Sequence, residues 1–415
     1  MKVLILSQYF WPESFRISEV AQSLRAEGCE VCVLTGQPNY PEGKVFDGYQ
    51  AWSIGREVFA QCQVHRVPLY PRGRGGALRM VANYLSFVVS ASLIGPWLLR
   101  GQRFDVIFVY GISPILQALP GIVLRRTTGA ALVPWVQDLW PQSLEVTGHV
   151  RNPRLLGMVA GLVRWIYRRS DLLLVQSHGF VPLVADMAGG TPVEYHPNPG
   201  ELAFQTRGNG LPALTLAPGF NVVFAGNLGA VQALGTVLAA AQQLSDLPSV
   251  RIVLVGSGSR SEWVQEQVRR LELQNVQLPG RFAVQDMPGI LAQASALLVS
   301  LARSPIMSQT VPSKIPAYLA AGKPIIASMD GEGARVVRES GAGVWCAAED
   351  PQALADAVRA LHAMTPHQLS EMGRAGRRHY EQHYEPGALA QRLKQRFERV
   401  VRERECASRN GRKAG

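Results

Sequence analysis

Charge is scarce in this chain, and what there is leans to one sign. Only 18% of the 415 residues are charged, yet Lys and Arg number 42 against 31 acids, a formal net charge of +11. An arginine-rich excess suits anionic partners such as nucleotide phosphates or anionic lipid. Aromatics are not interleaved with the basic residues and no RNA- or DNA-reading motif is present, so nucleic acid is not an expected partner. Cysteine is scarce too: five residues, an odd number in a long chain, point to a reducing compartment rather than a disulfide framework. Cys29 and Cys32 form a lone C-x-x-C, but Cys32 lies in the strand-like run Val31–Leu34 and no second pair exists. Both read as small buried hydrophobes rather than zinc ligands or a redox pair. The chain opens on a strand-like run with no signal-peptide pattern, so a cytoplasmic location is expected. With 47% hydrophobic residues it can bury two cores, which makes two domains the prior.

In the first half, apolar runs at 2–7, 30–34, 63–67, 104–109, 131–135 and 171–176 alternate with helical patterns. That rhythm means an α/β fold with a parallel sheet covered on both faces, whose ligand sites lie in the loops after the strands. The first such loop, Gln8–Arg16, contains Glu13 and has Ser14-Phe15 where many nucleotide-sugar enzymes carry a glycine pair. Arg16 either forks onto a phosphate or lies on the solvent face of the following helix; the sequence leaves both open. The next loop, Thr35–Lys44, is turn-rich, with two prolines and two glycines, and offers Asn39, Tyr40 and Lys44 for hydroxyl and phosphate contacts. After the run at 131–135, Asp138 stands between Trp135 and Trp140. A carboxylate in apolar surroundings is costly unless it has a task, here binding acceptor hydroxyls or stabilising positive charge on an anomeric carbon; helix capping is the alternative.

Between Arg79 and Arg100, residues Met80–Leu99 hold no charge, long enough for a membrane span. Asn83, three serines and Gly95-Pro96 argue against a span, as do the strands on either side, which belong to one domain. A helix at the membrane surface, partly buried in the protein, fits better, with Arg72, Arg74, Arg79 and Arg100 near lipid phosphates; a core helix is the alternative.

A polar, Gly/Pro-rich stretch from Gly200 to Gly219 reads as a linker, and the α/β rhythm restarts beyond it. The strand 221–225 turns at Gly226, Asn227, Leu228 and Gly229, and the strand 250–255 turns at Gly256, Ser257 and Gly258. Further on, Pro312 reads as the first residue of a helix that ends at Gly322. Lys314 in its first turn opposes the helix dipole by roughly up to 1 kcal/mol, which favours a compensating anion beside Ser313 and Lys314. The three corners are expected to meet around one diphosphate, with Arg281 nearby on the base or the sugar.

The series GNLG, GSG, LPGRF, VPSK and YLAAGKP resembles the donor-binding half of retaining glycosyltransferases of the GT-B fold, family 4. SQYFWPE, TGQPNYPEGK and VQDLWPQS resemble the amino-terminal half of a bacterial subgroup of L-fucosamine (N-acetyl-L-fucosamine) transferases of O-antigen and capsule assembly, related to colanic-acid transferases. The resemblance implies two Rossmann-like domains with a cleft between them: an acceptor domain at 1–200, a donor domain at 201–385, a crossing helix at 386–404 and a frayed basic tail at 405–415. It implies a nucleotide-sugar donor, a polyprenyl-diphosphate-linked acceptor at the inner face of the cell membrane, and no cofactor or essential metal. Donor contacts would fall on the two glycine turns, Gln232, Arg281, Ser313 and Lys314; acceptor contacts on Glu13, Asn39, Tyr40, Lys44, Asp138 and Trp140; catalysis on Asp138, Lys314 and Arg16. The family's two glutamates eight positions apart align with Gln309 and Ala317, so ribose contact is expected to pass to Glu332. Asn227 and Gln232 stand near the places of the family's Arg and Lys, and the Gln137-Asp138 pair replaces its usual histidine. A sugar-nucleotide 2-epimerase on the same fold, a transferase using a GDP-sugar and a non-catalytic membrane scaffold are the competing readings.

Overall fold

The computed structural model describes residues 1–73, 76–113, 115–146, 152–205 and 213–413. The chain forms two compact units, one of Met1–Pro197 with Pro386–Gly415 and one of Asn198–Glu385. The first unit carries β1 (Lys2–Leu6), β2 (Glu30–Gly36), β3 (Gly55–Phe59), β4 (Cys62–Val67), β5 (Val106–Gly111), β6 (Ala131–Val136), β7 (Leu173–Val175) and β8 (Val193–Tyr195). They lie in the order β3-β4-β2-β1-β5-β6-β7-β8, parallel throughout except for β3 against β4. The central strands are continuous apolar runs because both faces of the sheet are covered. β3 is absent from the strands expected from sequence. Its two-residue turn to β4 is Ala60-Gln61, at φ +46° and +65°, and it lacks the Asn-Gly chemistry that normally marks such a turn.

The helix Ala77–Leu98 is the crossover from β4 to β5. Phe87, Ala91 and Leu98 point into the core, and at Gly95 a Cβ would come within 2.9 Å of Leu34 Cδ2, so glycine sets the close approach to the sheet. Asn83 is fully buried on the same face: its Oδ1 accepts from Gln8 Nε2 (2.7 Å) and Tyr9 Oη (3.2 Å), and its Nδ2 donates to the Tyr70 carbonyl (2.6 Å). Leu78–Leu98 is long and apolar enough to cross a membrane, but one face of this helix is packed into the sheet. Arg74 lies outside the described residues.

The second unit carries β9 (Phe220–Ala225), β10 (Val250–Val255), β11 (Val276–Gly280), β12 (Ala296–Ser300), β13 (Ile325–Ser328) and β14 (Gly343–Cys346). Their order is β11-β10-β9-β12-β13-β14, all parallel, with an apolar core on each face. Part of the expected linker belongs to this unit. Leu202–Phe204 is a short 3₁₀ turn and Phe204 is buried in the core, while residues 206–212 lie outside the described set.

The last helix spans Pro386–Lys413, beyond the expected end at 404, because no proline interrupts it and each added residue extends an existing hydrogen-bond ladder. The side chains of Arg409, Arg412 and Lys413 lie outside the described set. The helix packs on the first unit: Ala390, Leu393, Phe397 and Val400 join the core beneath β1 and β5, and Phe397 meets Phe108 edge-on at 5.2 Å. Lys394 Nζ donates to the Glu27 carbonyl (2.8 Å), and Arg396 donates to Glu194 (2.9 Å). Phe397→Ala, which empties a fully buried ring site, is expected to cost about 3–5 kcal/mol of first-unit stability in urea unfolding.

Candidate functional site

In the second unit the turns after β9 and β10 are pressed against each other and against Lys314. Gly226 and Gly256 sit at φ +137° and +141°, where L side chains are strained. A Cβ on Gly256 would lie 1.9 Å from the Gly226 carbonyl oxygen, and one on Gly226 would lie 2.8 Å from Lys314 Cε. Four of the amides expected to face a phosphate are already engaged. Gly226 N–H donates to the Val255 carbonyl (2.9 Å), Leu228 to Ser257 (3.0 Å), Gly256 to Gly280 (2.8 Å) and Gly258 to Ser261 Oγ (2.8 Å). The first two stitch the turns together, the third ties the second turn to the end of β11 and the fourth closes that turn on itself, and the Leu228 side chain is buried in the core. Among the described residues, the N–H groups of Asn227, Gly229 and Ser257 have no partner; of these residues Asn227 and Ser257 line the cavity and Gly229 does not.

The third corner starts later than expected. The helix is Lys314–Ala321, with Ser313 as its cap residue and Pro312 outside it. The Ile315 N–H folds back onto the Pro312 carbonyl (2.9 Å), which draws the chain into the first turn. Pro316 has no N–H, so this helix start has fewer open donors than usual. It ends at Gly322, in the left-handed conformation. The Lys314 side chain is half-buried; Nζ donates to Gln232 Oε1 (2.5 Å) and stands 4.5 Å from the Phe224 ring centroid. Burial brings its pKa down to about 8. Among the described residues no carboxylate pairs with it. Tyr318 Oη accepts the Ala225 N–H (2.8 Å), fixing the helix to the end of β9.

These groups line a cavity of about 710 Å³, of the size that holds nucleotide-like ligands. Asn227, Gln232, Gly256, Ser257, Gly258, Arg281 and Ser313 share its wall with Lys314, while Phe204, Phe282, Met287 and Leu291 make an apolar side. Glu332 is not part of that wall. Its carboxylate takes two bonds from Arg335 (3.1 and 2.8 Å) in the first turn of its own helix, so the residue expected to contact the ribose is not on the cavity wall. The carboxylate in the wall is Glu201, which acts electrostatically on Tyr318. Ala317 lines the cavity as well. Sequence reading missed Glu201, Phe204, Met307 and Thr310, which carry no motif and meet only through folding.

In the first unit the expected acceptor residues divide into two groups. Asp138 Oδ2 accepts the Ser113 N–H (2.8 Å) and Trp140 Nε1 donates to Ser113 Oγ (2.9 Å), so both brace the loop after β5. Asp138 does not cap the short helix Gln142–Val146. Arg16 opens the helix Arg16–Ala26 and pairs with Glu19 (2.8 Å); its charge and that of Asp138 both reach Tyr110. Glu13 and Asn39 are buried and serve the loops themselves. Glu13 Oε1 accepts the N–H groups of Asn39 and Tyr40 (2.8 Å each), and Oε2 accepts that of Phe10 (3.2 Å). Asn39 donates to the Gln37 carbonyl (3.0 Å) and accepts the Arg72 N–H (3.2 Å). What they present is Tyr40, 38% exposed, its ring near Phe15 (5.1 Å) and under the Arg72 guanidinium (5.3 Å). Lys44 is exposed in the same loop.

Two largely parallel-sheet units, with glycine corners and a half-buried lysine at the strand ends of the second, define a nucleotide-sugar type of transferase fold. Residues 14–200 match the glycosyl transferase 4-like domain and residues 219–364 match glycosyl transferases group 1. The chain belongs to the GT-B glycosyltransferases of this group 1, GT4-like family. It is 26% identical over 338 residues to WcaI of Escherichia coli (strain K12), named as a glycosyl transferase of colanic acid biosynthesis, across 78% of this chain and 82% of that protein. It is also 26% identical over 349 residues to the glycosyltransferase WbjE of Pseudomonas aeruginosa, across 80% and 81%. Among solved structures, sucrose-phosphate synthase from Thermosynechococcus elongatus matches with TM-score 0.73 at 16% identity over 97% of this chain and 99% of its own. Anabaena HepE in complex with UDP and glucose matches with TM-score 0.69 at 16% identity over 96% and 99%. The last two likenesses carry the fold alone.

Glu13 makes the first unit sensitive to pH. Burial pushes its carboxyl from an ordinary 4.5 up to about 7, against the lowering pull of three backbone N–H groups. A raised folded pKa contributes stability that is complete below 4.5 and lost as pH rises through 7. Between pH 4.5 and 8 this amounts to a loss on the order of 3 kcal/mol. Unfolding curves across that range are expected to show the decline in the wild type and a flatter profile in Glu13→Gln.

Proposed function

We propose that the chain is a retaining, metal-independent glycosyltransferase of surface polysaccharide biosynthesis. It moves a sugar from a nucleoside diphosphate donor to a polyprenyl-diphosphate-linked saccharide at the inner face of the cell membrane. The observation that carries this reading is Lys314, a half-buried ammonium with a neutral amide and an aromatic face as partners, beside the open amides of Asn227 and Ser257. A fixed positive group in a partly dry cavity stabilises the negative charge that grows on a leaving diphosphate, which is the task a metal ion performs in other transferases. The carboxylate of Glu201 suits the donor's ribose hydroxyls, and the apolar side of the cavity suits its base.

The name of WcaI, a glycosyl transferase of colanic acid biosynthesis, supports surface polysaccharide as the product, and the sequence motifs point to a UDP-sugar donor with N-acetyl-L-fucosamine as the first candidate. A GDP-sugar is the second. On the acceptor side, Asp138 orients the attacking hydroxyl or offsets charge on the sugar, and Tyr40, Lys44 and Arg72 contact the acceptor. Purified protein is to be tested with a panel of UDP- and GDP-sugars and polyprenyl-diphosphate saccharides, read by mass spectrometry. Transfer by the wild type in EDTA is expected, with turnover in Lys314→Ala lower by on the order of 10²–10³-fold. Wild-type rates in that variant would remove the assignment. Conversion of the donor without an acceptor would favour the epimerase, and no thermal shift with any nucleotide would favour the scaffold.

Membrane contact rests on the helix Ala77–Leu98. Leu78, Val81, Leu85, Val89, Leu93 and Trp97 recur at helical spacing on its exposed side, each at least 48% exposed. Arg72, Arg79 and Arg100 lie near its ends. Leu93→Glu is expected to abolish most co-sedimentation with anionic vesicles and leave the unfolding midpoint unchanged; undiminished vesicle binding would exclude this surface.

A further inference from the structure

A second cavity, of about 470 Å³, lies in the first unit where the strand pair β3–β4 meets the end of the helix Ala77–Leu98. His65 of β4 lines it and is 6% exposed, and neither ring nitrogen has a hydrogen-bond partner. The buried Oε1 of Gln102 is equally unpartnered. Arg56, opposite His65 in the β3–β4 register, and Arg100 complete the polar wall, and neither pairs with a carboxylate among the described residues. The one acid nearby, Glu57, directs its carboxylate to Arg66 (2.5 Å) and Tyr49 (3.0 Å). Buried polar atoms are rarely left without partners, and two uncompensated guanidinium groups draw an anion.

We infer that this cavity binds the phosphate of an anionic glycerophospholipid headgroup, with a headgroup hydroxyl on Gln102. The chemistry follows from the wall. Two guanidinium groups and an imidazole N–H match phosphate oxygens, and a buried amide oxygen calls for a hydroxyl donor. Burial and the charge of Arg56 lower the pKa of His65, which keeps the imidazole neutral, one nitrogen donating and the other accepting. The lipid source follows from the surroundings. Leu98 forms part of the wall, Val58 is 70% exposed on the strand that carries Arg56, and Trp97 is 60% exposed at the end of the apolar stripe. The acyl chains of a lipid held by its phosphate would therefore meet apolar surface. The lipid identity rests on the membrane reading of the 77–98 helix; the anion site does not.

The test titrates the full chain, labelled with ¹³C at the histidine Cε1, with dihexanoyl-phosphatidylglycerol, dihexanoyl-phosphatidylcholine, glycerol 3-phosphate and inorganic phosphate below micelle-forming concentrations. The His65 signal is assigned from His65→Gln. Phosphatidylglycerol is expected to shift it saturably, phosphatidylcholine to leave it in place, and the Arg56→Ala/Arg100→Ala double variant to weaken binding at least 10-fold with an unchanged unfolding midpoint. Both arginines are exposed, so folding should survive their loss. No shift with any phosphate, or wild-type affinity in the double variant, overturns the site. Equal affinity for inorganic phosphate or glycerol 3-phosphate and for the lipid overturns the lipid identity. Leu93→Glu separates the two readings: if it loses vesicle binding yet still shifts His65 with soluble phosphatidylglycerol, the site stands apart from the docking stripe.

Discussion

A lysine ammonium half-buried without a carboxylate is the constraint on which the glycine corner of the second unit depends. Desolvation disfavours the charged form, and Gln232 Oε1 and the face of Phe224 offset that cost only in part. The surroundings hold Lys314 in place in the free protein. Gly226 cannot carry a side chain without striking it, Gly256 cannot carry one without striking Gly226, and Tyr318 ties its helix to β9. The amides left open beside it belong to residues that the same stitching leaves over. Positive potential is thus built into a rigid corner before any anion arrives, which is how an electrostatic site avoids reorganisation during reaction.

The crossover helix Ala77–Leu98 of the first unit departs from the usual amphipathic logic, being apolar on both sides. A surface helix of a water-soluble domain turns its polar side outward. Here Asn83 faces inward and joins the loops after β1, β2 and β4, while leucine and valine face out. Glu13 does comparable work from the other side, gathering the 37–40 loop by its backbone. These loops are therefore shaped by buried polar groups, and the residues they present include Tyr40, Lys44 and Arg72. The same helix ends at the cavity that holds His65, so apolar stripe and anion-seeking pocket are neighbours.

Much of the fold was legible because parallel strands buried on both faces leave continuous apolar runs, as at Val3–Leu6 and Val250–Val255. β3 was not, since its turn at Ala60-Gln61 uses residues that announce no hairpin. At the site, Lys314, Ser313 and the glycine turns could be read because glycine and a first-turn lysine each have a local backbone meaning. Which amides of those turns remain open could not be read, because their partners come from other strands. Glu332 misled for a related reason. An acid at a helix start looks the same whether it faces a ligand or an arginine one turn on, and here it faces Arg335. Glu13 and Asn39 were expected to contact the acceptor, and only their tertiary contacts show that both face inward and hold the loops themselves.

Taken by itself, the sequence determined the α/β class, the repeat of that rhythm in two units, the glycine corners and the lysine between them. All of these follow from local periodicity and backbone conformation. Tertiary structure alone decided that Lys314 lies against Gln232 and Phe224, that Glu201 rather than Glu332 joins the cavity, and that the uncharged helix keeps Asn83 inside. It also placed His65 opposite Arg56 beside Arg100. The reason is common to them all. Burial and charge pairing depend on neighbours distant in the chain, and only the packed sheets bring those neighbours together.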